Sequence, residues 1–201
     1  MRNLVAFSMA LALVAGTAAA QQAAQPQRLR GTVDAVDGQM LMLKSRDGGM
    51  VHVNLTDKTG YTGVVKASLD DIKPDKFVGI ASMPQADGSH KALEVLIFPD
   101  SMRGSNEGHY AWDLQPQSMM TNANVTQVVE KVDGPVLTLK YKDGEKKIIV
   151  PKDTPIVTFD KADKSDVKAG AHAMVVAVKE DNGSWRANRI LVGKNGTIPP
   201  M

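Results

Sequence analysis

Two stretches of this chain repeat one another, and that repetition constrains the fold more than any other feature. Ala35-Val36-Asp37-Gly38-Gln39-Met40-Leu41-Met42-Leu43-Lys44-Ser45-Arg46-Asp47-Gly48 returns as Lys131-Val132-Asp133-Gly134-Pro135-Val136-Leu137-Thr138-Leu139-Lys140-Tyr141-Lys142-Asp143-Gly144. The offset is 96 from Val36/Val132 to Gly48/Gly144. It is 95 at Ile72/Val167, Gly88/Gly183, Ala92/Ala187 and Val95/Ile190, so the second copy is one residue shorter. A chain written this way is expected to build one small unit twice.

The pattern inside each copy predicts strands. Apolar and polar residues alternate on either side of Asp-Gly, a strong hairpin signal. The first strand runs over 29–36 and 125–132, the second over 40–44 and 136–140, and the third over 50–55 and 147–150. A short helical turn then follows at Ser68 to Ile72 and at Ser165 to Lys168, with serine as the N-cap in both. Fourth and fifth strands cover 77–83 and 92–98, matched by 173–179 and 185–192, around Asp87-Gly88 and Asp181-Asn182-Gly183. The fold class is therefore all-β. The expected architecture is two tandem OB-like five-stranded barrels, each with a helical turn between strands three and four, since closure removes exposed edges. The expected boundaries are 28–103 and 123–194 for the repeats, 21–27 and 104–122 for linkers, and 195–201 for a C-terminal tail. Units of roughly 70 residues are near the lower margin of independent stability, so packing of one against the other is expected to help.

Residues 1–20 read as a secretory signal peptide. Arg2 supplies the positive start, Leu4 to Val14 an apolar stretch too short to span a bilayer, and Ala18-Ala19-Ala20 the cleavage site. The expectation is a periplasmic or secreted protein cleaved after Ala20, with no stable membrane insertion afterwards. Cysteine is absent, which excludes disulfides, thiolate metal sites and a lipoprotein anchor.

The Val-x-x-Val-Asp-Gly starts and the short helix before strand four resemble a bacterial family of exported OB-like domains of unknown function, present here in two copies. The run from Met102-Arg103-Gly104 through His109 and Trp112-Asp113-Leu114 to Met119-Met120-Thr121-Asn122 resembles exported proteins labelled as metal ABC transporter permeases. A permease needs several membrane spans, and nothing after Ala20 is long and apolar enough. That resemblance implies a link to metals and no transport activity.

Composition removes several function classes. There are 24 Lys and Arg against 22 Asp and Glu, without a long basic run, and aromatics are only 4%. Nucleic-acid binding needs a concentrated positive field and stacking rings, so it is not expected. No Gly-x-Ser-x-Gly, calcium loop, zinc-protease spacing or paired-carboxylate pattern occurs, and no catalytic residues are assigned.

Two places could hold chemistry. The segment 104–122 is long for a connection and carries His109, Tyr110, Trp112 and Asp113, followed by Met119 and Met120. Imidazole and thioether groups suit soft ions such as Cu(I), and a Trp face attracts cations. The same aromatics could equally fill a groove between the repeats, with Met119 as a gap-filler. The second place is a hairpin face. If Leu41, Leu43, Val51, Val53 and Leu55 point inward, alternation sends Met40, Met42, Met50 and His52 outward, with Met42 and His52 near-diagonal neighbours. The second copy has Val136, Thr138, Lys146 and Ile148 there, so this face exists once. It is open to two readings, a soft-metal site or a covered apolar surface. His172 aligns with Phe77 and is expected to pack like it, whereas His90, beside Asp87-Gly88-Ser89, is expected to be solvated. Both candidate sites belong to the first copy and its exit, and the second copy reads as support. The expected function is a non-enzymatic binding or adaptor module contacting a periplasmic protein or small ligand through the inter-repeat cleft and linker, without an obligate cofactor. The alternatives are a Cu(I) or Ag(I) carrier or sensor and a structural envelope protein.

Overall fold

A computed structural model describes residues 25–199. The expected signal peptide, residues 1–20, lies outside the described residues. The described chain is all-β, with strands β1 (Gln27–Asp37), β2 (Met40–Ser45), β3 (Met50–Asn54), β4 (Gly60–Lys66), β5 (Phe77–Pro84), β6 (His90–Ile97), β7 (Gly108–Ala111), β8 (Met119–Val129), β9 (Val136–Tyr141), β10 (Gly144–Ile149), β11 (Ile156–Asp160), β12 (His172–Lys179) and β13 (Trp185–Gly193). Among the described residues no helix is long and apolar enough to cross a membrane.

The first copy's β1, β2 and β3 form a meander whose open edge pairs with strands of the second copy. β3 runs parallel to β13, β13 pairs antiparallel with β12, and β12 pairs antiparallel with β1, which closes the circuit. The counterpart circuit follows the order β8, β9, β10, β6, β5 and back to β8. Each circuit thus takes three strands from one copy and two from the other, so neither coincides with 28–103 or 123–194. The repeat explains why this is permitted. Counterpart strands share length and alternation, so β12–β13 fit the edges of β1–β3 by the same rules that would let β5–β6 fit them.

Aliphatic side chains fill both circuits. Leu41, Leu43, Val53, Val175 and Ile190 are fully buried in the first, and Ile80, Val95, Leu137, Leu139 and Ile148 in the second. Truncating one such Leu or Ile to Ala costs about 2–5 kcal/mol. A third cluster, with Phe77, Phe98, Met120, Met174 and Leu191, lies between them and contains residues from both copies.

Two strands absent from the expected pattern, β4 and β11, join the circuits. β4 pairs with β13, β11 with β6, and the two pair with each other antiparallel. In that pairing Val64 faces Phe159, its own counterpart at an offset of 95, as expected at a local two-fold axis between the copies. The lost residue lies in the β2–β3 hairpin, since Lys44 pairs with Met50 while its counterpart Lys140 pairs with Glu145. This puts Glu145 and Lys147, rather than the expected Lys146 and Ile148, at the positions of Met50 and His52.

The Val-Asp-Gly signal marks the turn after β1 in the first copy, and its counterpart follows β8. Gly38 and Gly134 both have positive φ, 54° and 115°, a region disfavoured for side chains with a Cβ. A Cβ on Gly134 would also lie 2.1 Å from the Val150 carbonyl oxygen. The helical turns are single 3-10 turns. Ser68 caps the first, its backbone N–H donating to Asp71 at 2.8 Å. In the second the cap is Asp163 rather than the expected serine: its carboxylate accepts the Ser165 N–H at 2.7 Å, and Asp166 accepts the Asp163 N–H at 3.0 Å. A carboxylate two residues before that serine, at the position matching Ser68, provides a stronger, charge-assisted cap.

The segment 104–122 is ordered as a hairpin, with β7 laid antiparallel along the first residues of β8. The Trp112 backbone N–H donates to the Ser118 carbonyl at 2.8 Å, and the buried Ser118 hydroxyl returns a bond to the Trp112 carbonyl at 3.0 Å. Arg103 anchors the entrance by donating to Asn124 Oδ1 at 2.6 Å and the Asp75 carbonyl at 2.7 Å.

Candidate functional site

Alternation along β7 divides the residues singled out in 104–122. Tyr110 lies opposite Met120, and both pack into the cluster between the circuits, together with Trp112. His109 faces the other way, opposite Thr121. The methionines divide likewise, with Met120 buried between the circuits and half-buried Met119 on the His109 side of β8.

Tyr110, Trp112 and Asp113 sit beside a cavity of about 570 Å3, whose lining includes Trp112, Phe98, Met120, Met174, Arg28 and Arg189. This volume is within the usual range for small-molecule sites. The Arg28 guanidinium lies 4.0 Å from the Trp112 ring centre and 3.3 Å from Asp113 Oδ2. Arg30 donates to Asp113 Oδ1 at 2.8 Å. Burial pushes the Asp113 carboxyl up, but the Arg30 and Arg28 guanidiniums outweigh this and hold it below the ordinary carboxylate range. Burial raises the Tyr110 phenol, whose oxygen accepts from Asn122 Nδ2 at 3.2 Å. The indole N–H of Trp112 is buried and meets no protein acceptor.

The other group from 104–122 lies at the end of the second circuit. There the inward positions change from aliphatic to polar. Ser82 follows Ile80 on β5, His90 precedes Ala92 on β6, Thr121 precedes Ala123 on β8, Tyr141 follows Leu139 on β9, and Lys146 precedes Ile148 on β10. His109 joins this layer from β7. His90 Nδ1 shares a hydrogen bond of 3.1 Å with the Ser82 hydroxyl, and His109 Nδ1 one of 2.9 Å with the Thr121 hydroxyl. The two imidazoles meet edge to face with centres 5.1 Å apart, and Tyr141 stacks on His109 at 6.3 Å. Desolvation, then the Lys146 charge and His90, push the His109 pKa down to about 4. Burial and Lys146 lower His90 as well. Both rings are free bases at neutral pH.

His90 is therefore not the solvated turn residue its neighbours suggest, being 5% exposed. The available signal was register: it is the first inward position of β6, two before buried Ala92. His172 aligns with fully buried Phe77 but is half-buried and shares a 3.2 Å hydrogen bond with Thr32.

Comparison with known proteins finds no family model, no curated protein and no solved structure that matches the chain.

The methionine hairpin is a separate place. Met42 pairs directly with His52, closer than the near-diagonal arrangement expected, and Met40 faces Asn54. Met40 and Met50 are exposed at 36% and 50%, so neither the linker nor the other circuit covers this face. Among the described residues no three His, Asp or Glu side chains gather in a metal-binding group.

Proposed function

We propose that this protein is a non-enzymatic, exported binding module that takes a small amphipathic anion in the cleft between its two circuits. The observation that carries this is the cavity bearing both Trp112 and Arg189. Its floor is aromatic and thioether-rich, suited to an apolar body. Arg189 is exposed and has no ion pair among the described residues, whereas Arg28 is already shared between Trp112 and Asp113. A ligand carboxylate or sulfonate on Arg189 would gain a charge-assisted bond, and an oxygen reaching the Trp112 indole N–H would satisfy a buried donor. Among the described residues no nucleophile paired with a base lines this cavity, which favours binding over catalysis.

The chain has two tryptophans, so Trp185→Phe leaves Trp112 as the only indole reporter. Titration with octanoate and naphthalene-2-sulfonate should quench or shift its emission saturably. Naphthylmethylamine, of similar shape and opposite charge, should not bind. Arg189→Ala should weaken the anions at least tenfold. Equal binding of the amine, or anion affinity indifferent to Arg189, would remove this reading.

A further inference from the structure

We propose that the polar end of the second circuit is a soft-metal site, taking one Cu(I) or Ag(I) ion on the ring nitrogens of His90 and His109 with the Met119 thioether as third donor. This site is independent of the anion cleft, because His109 and Tyr110 leave β7 on opposite faces.

Both rings are already held by one nitrogen. Each has its Nδ1 occupied by a hydroxyl, Ser82 for His90 and Thr121 for His109. The nitrogen left to each is Nε2. A second-layer hydrogen bond on the far nitrogen is the usual support of a metal-binding histidine, because it fixes ring orientation. The rings also lie at a bridging distance. A metal roughly 2 Å from each imidazole nitrogen puts the ring centres roughly 5–6 Å apart when the nitrogens converge, and here they are 5.1 Å apart. Strand register brings the thioether to the same place. Met119 lies two residues before Thr121 on the same strand face and directly opposite Ser82 across the β5–β8 ladder. It is therefore next to both hydroxyls that hold the histidines.

The donor set and its surroundings select the ion. Two neutral nitrogens and a thioether suit a low-coordinate soft monocation. No cluster of three His, Asp or Glu forms among the described residues to complete a zinc site. The Lys146 ammonium is close enough to act on both rings. It repels a dication about twice as strongly as a monocation at the same distance, which disfavours Zn(II) and Cu(II) further.

The counterpart positions in the first circuit lack these donors. Trp185 stands for His90, Ala177 for Ser82, and Val51 for Lys146. The site arises only because strands of the two copies share a circuit, with Ser82 and His90 from the first, Tyr141 and Lys146 from the second, and Thr121 from the part of β8 that leads into it.

The test is calorimetric titration of the metal-free protein with Ag(I), and competition for Cu(I) against bathocuproine disulfonate, with Zn(II) as a control. One equivalent of each soft ion should bind and zinc should not compete. His109→Phe should weaken binding at least 100-fold and Met119→Leu about tenfold. The double variant Met42→Leu, His52→Ala should leave this equivalent intact. Because His109→Phe could disturb the fold, NMR of the unaltered protein is a second reading: Ag(I) should shift the ring resonances of His90 and His109 and leave His52 and His172 in place. Unchanged affinity in His109→Phe, metal-induced shifts confined to His52, or no stoichiometric binding would each overturn the proposal. Loss of soft-metal binding with anion binding intact would separate its failure from that of the cleft.

Discussion

At the end of the first circuit, Trp185 packs with Val51 and Ala177 onto an aliphatic interior; at the matching end of the second circuit, the same positions hold His90, Lys146 and Ser82. Counterpart strands carry both ends, so the backbone explains none of the difference. The first end buries apolar surface and asks nothing further of its neighbours. The second brings imidazoles and hydroxyls where water is scarce, and each must be satisfied by another side chain. It also receives β7, which has no counterpart strand among the described residues of the first copy. A repeat that spends one end on stability can place polar chemistry at the other.

The most severe way to break this comparison is to ask whether either circuit exists without the other copy. A fragment covering 25–103 contains three strands of one circuit and two of the other, and should show no cooperative urea transition by circular dichroism. An independent folding transition in that fragment would mean the copies can close on themselves. Next in size, Trp185→Ala should destabilise the protein by about 2–3 kcal/mol, discounted from the full cost for a buried Trp because the residue is half-exposed. His90→Ala should cost less, about 1–2 kcal/mol, since it removes a smaller group whose hydrogen bond is only partly offset. Chemical denaturation of the two variants side by side checks the order.

Acid provides a third test. The folded His109 pKa of about 4 is below the ordinary value of 6.5, through desolvation, Lys146 and His90. Between those two values the unfolded chain binds the extra proton, so stability falls as pH drops through that window and levels off below it. Allowing for solvent screening, the loss for His109 is on the order of 1–2 kcal/mol. His90 adds to it in the same direction. Urea midpoints measured metal-free at pH 7 and pH 4.5 should show the drop, and His109→Gln should reduce it. The smallest effect is expected at the cleft. Asp113→Asn releases two partly exposed ion pairs, to Arg28 and Arg30, and should cost no more than about 1 kcal/mol. It would sharpen the contrast by showing that the cleft is held by packing.

Much of the strand pattern was legible because alternation and Asp-Gly turns are local signals. Met40, Met42, Met50 and His52 fall on the outer face as the alternation requires. Pairing across copies was not legible. Strand β3 meets β13 through backbone groups, and the inward pattern of Val51 and Val53 suits a partner from either copy. Strands β4 and β11 did leave a trace in Val64-Val65 and in Ile156-Val157-Thr158-Phe159, β-branched and aromatic runs that a five-strand expectation passed over. His109 was singled out by composition, but its partner His90 was hidden by the turn residues before it. Only the register of β6, set by Ala92 and Val95, places that imidazole inside.

The exchange of strands also sets a timetable. The first circuit pairs Gln27 with Ala177, so three finished strands must wait for nearly the entire chain before their edges are covered. Contacts this distant in sequence make for slow closure. Until then β1 to β3 present unpaired backbone to any matching edge, including β12–β13 of a neighbouring molecule. Protection against proteolysis should therefore arrive in one late step, with the last strand, and crowding of nascent chains should favour interlocked pairs over single molecules.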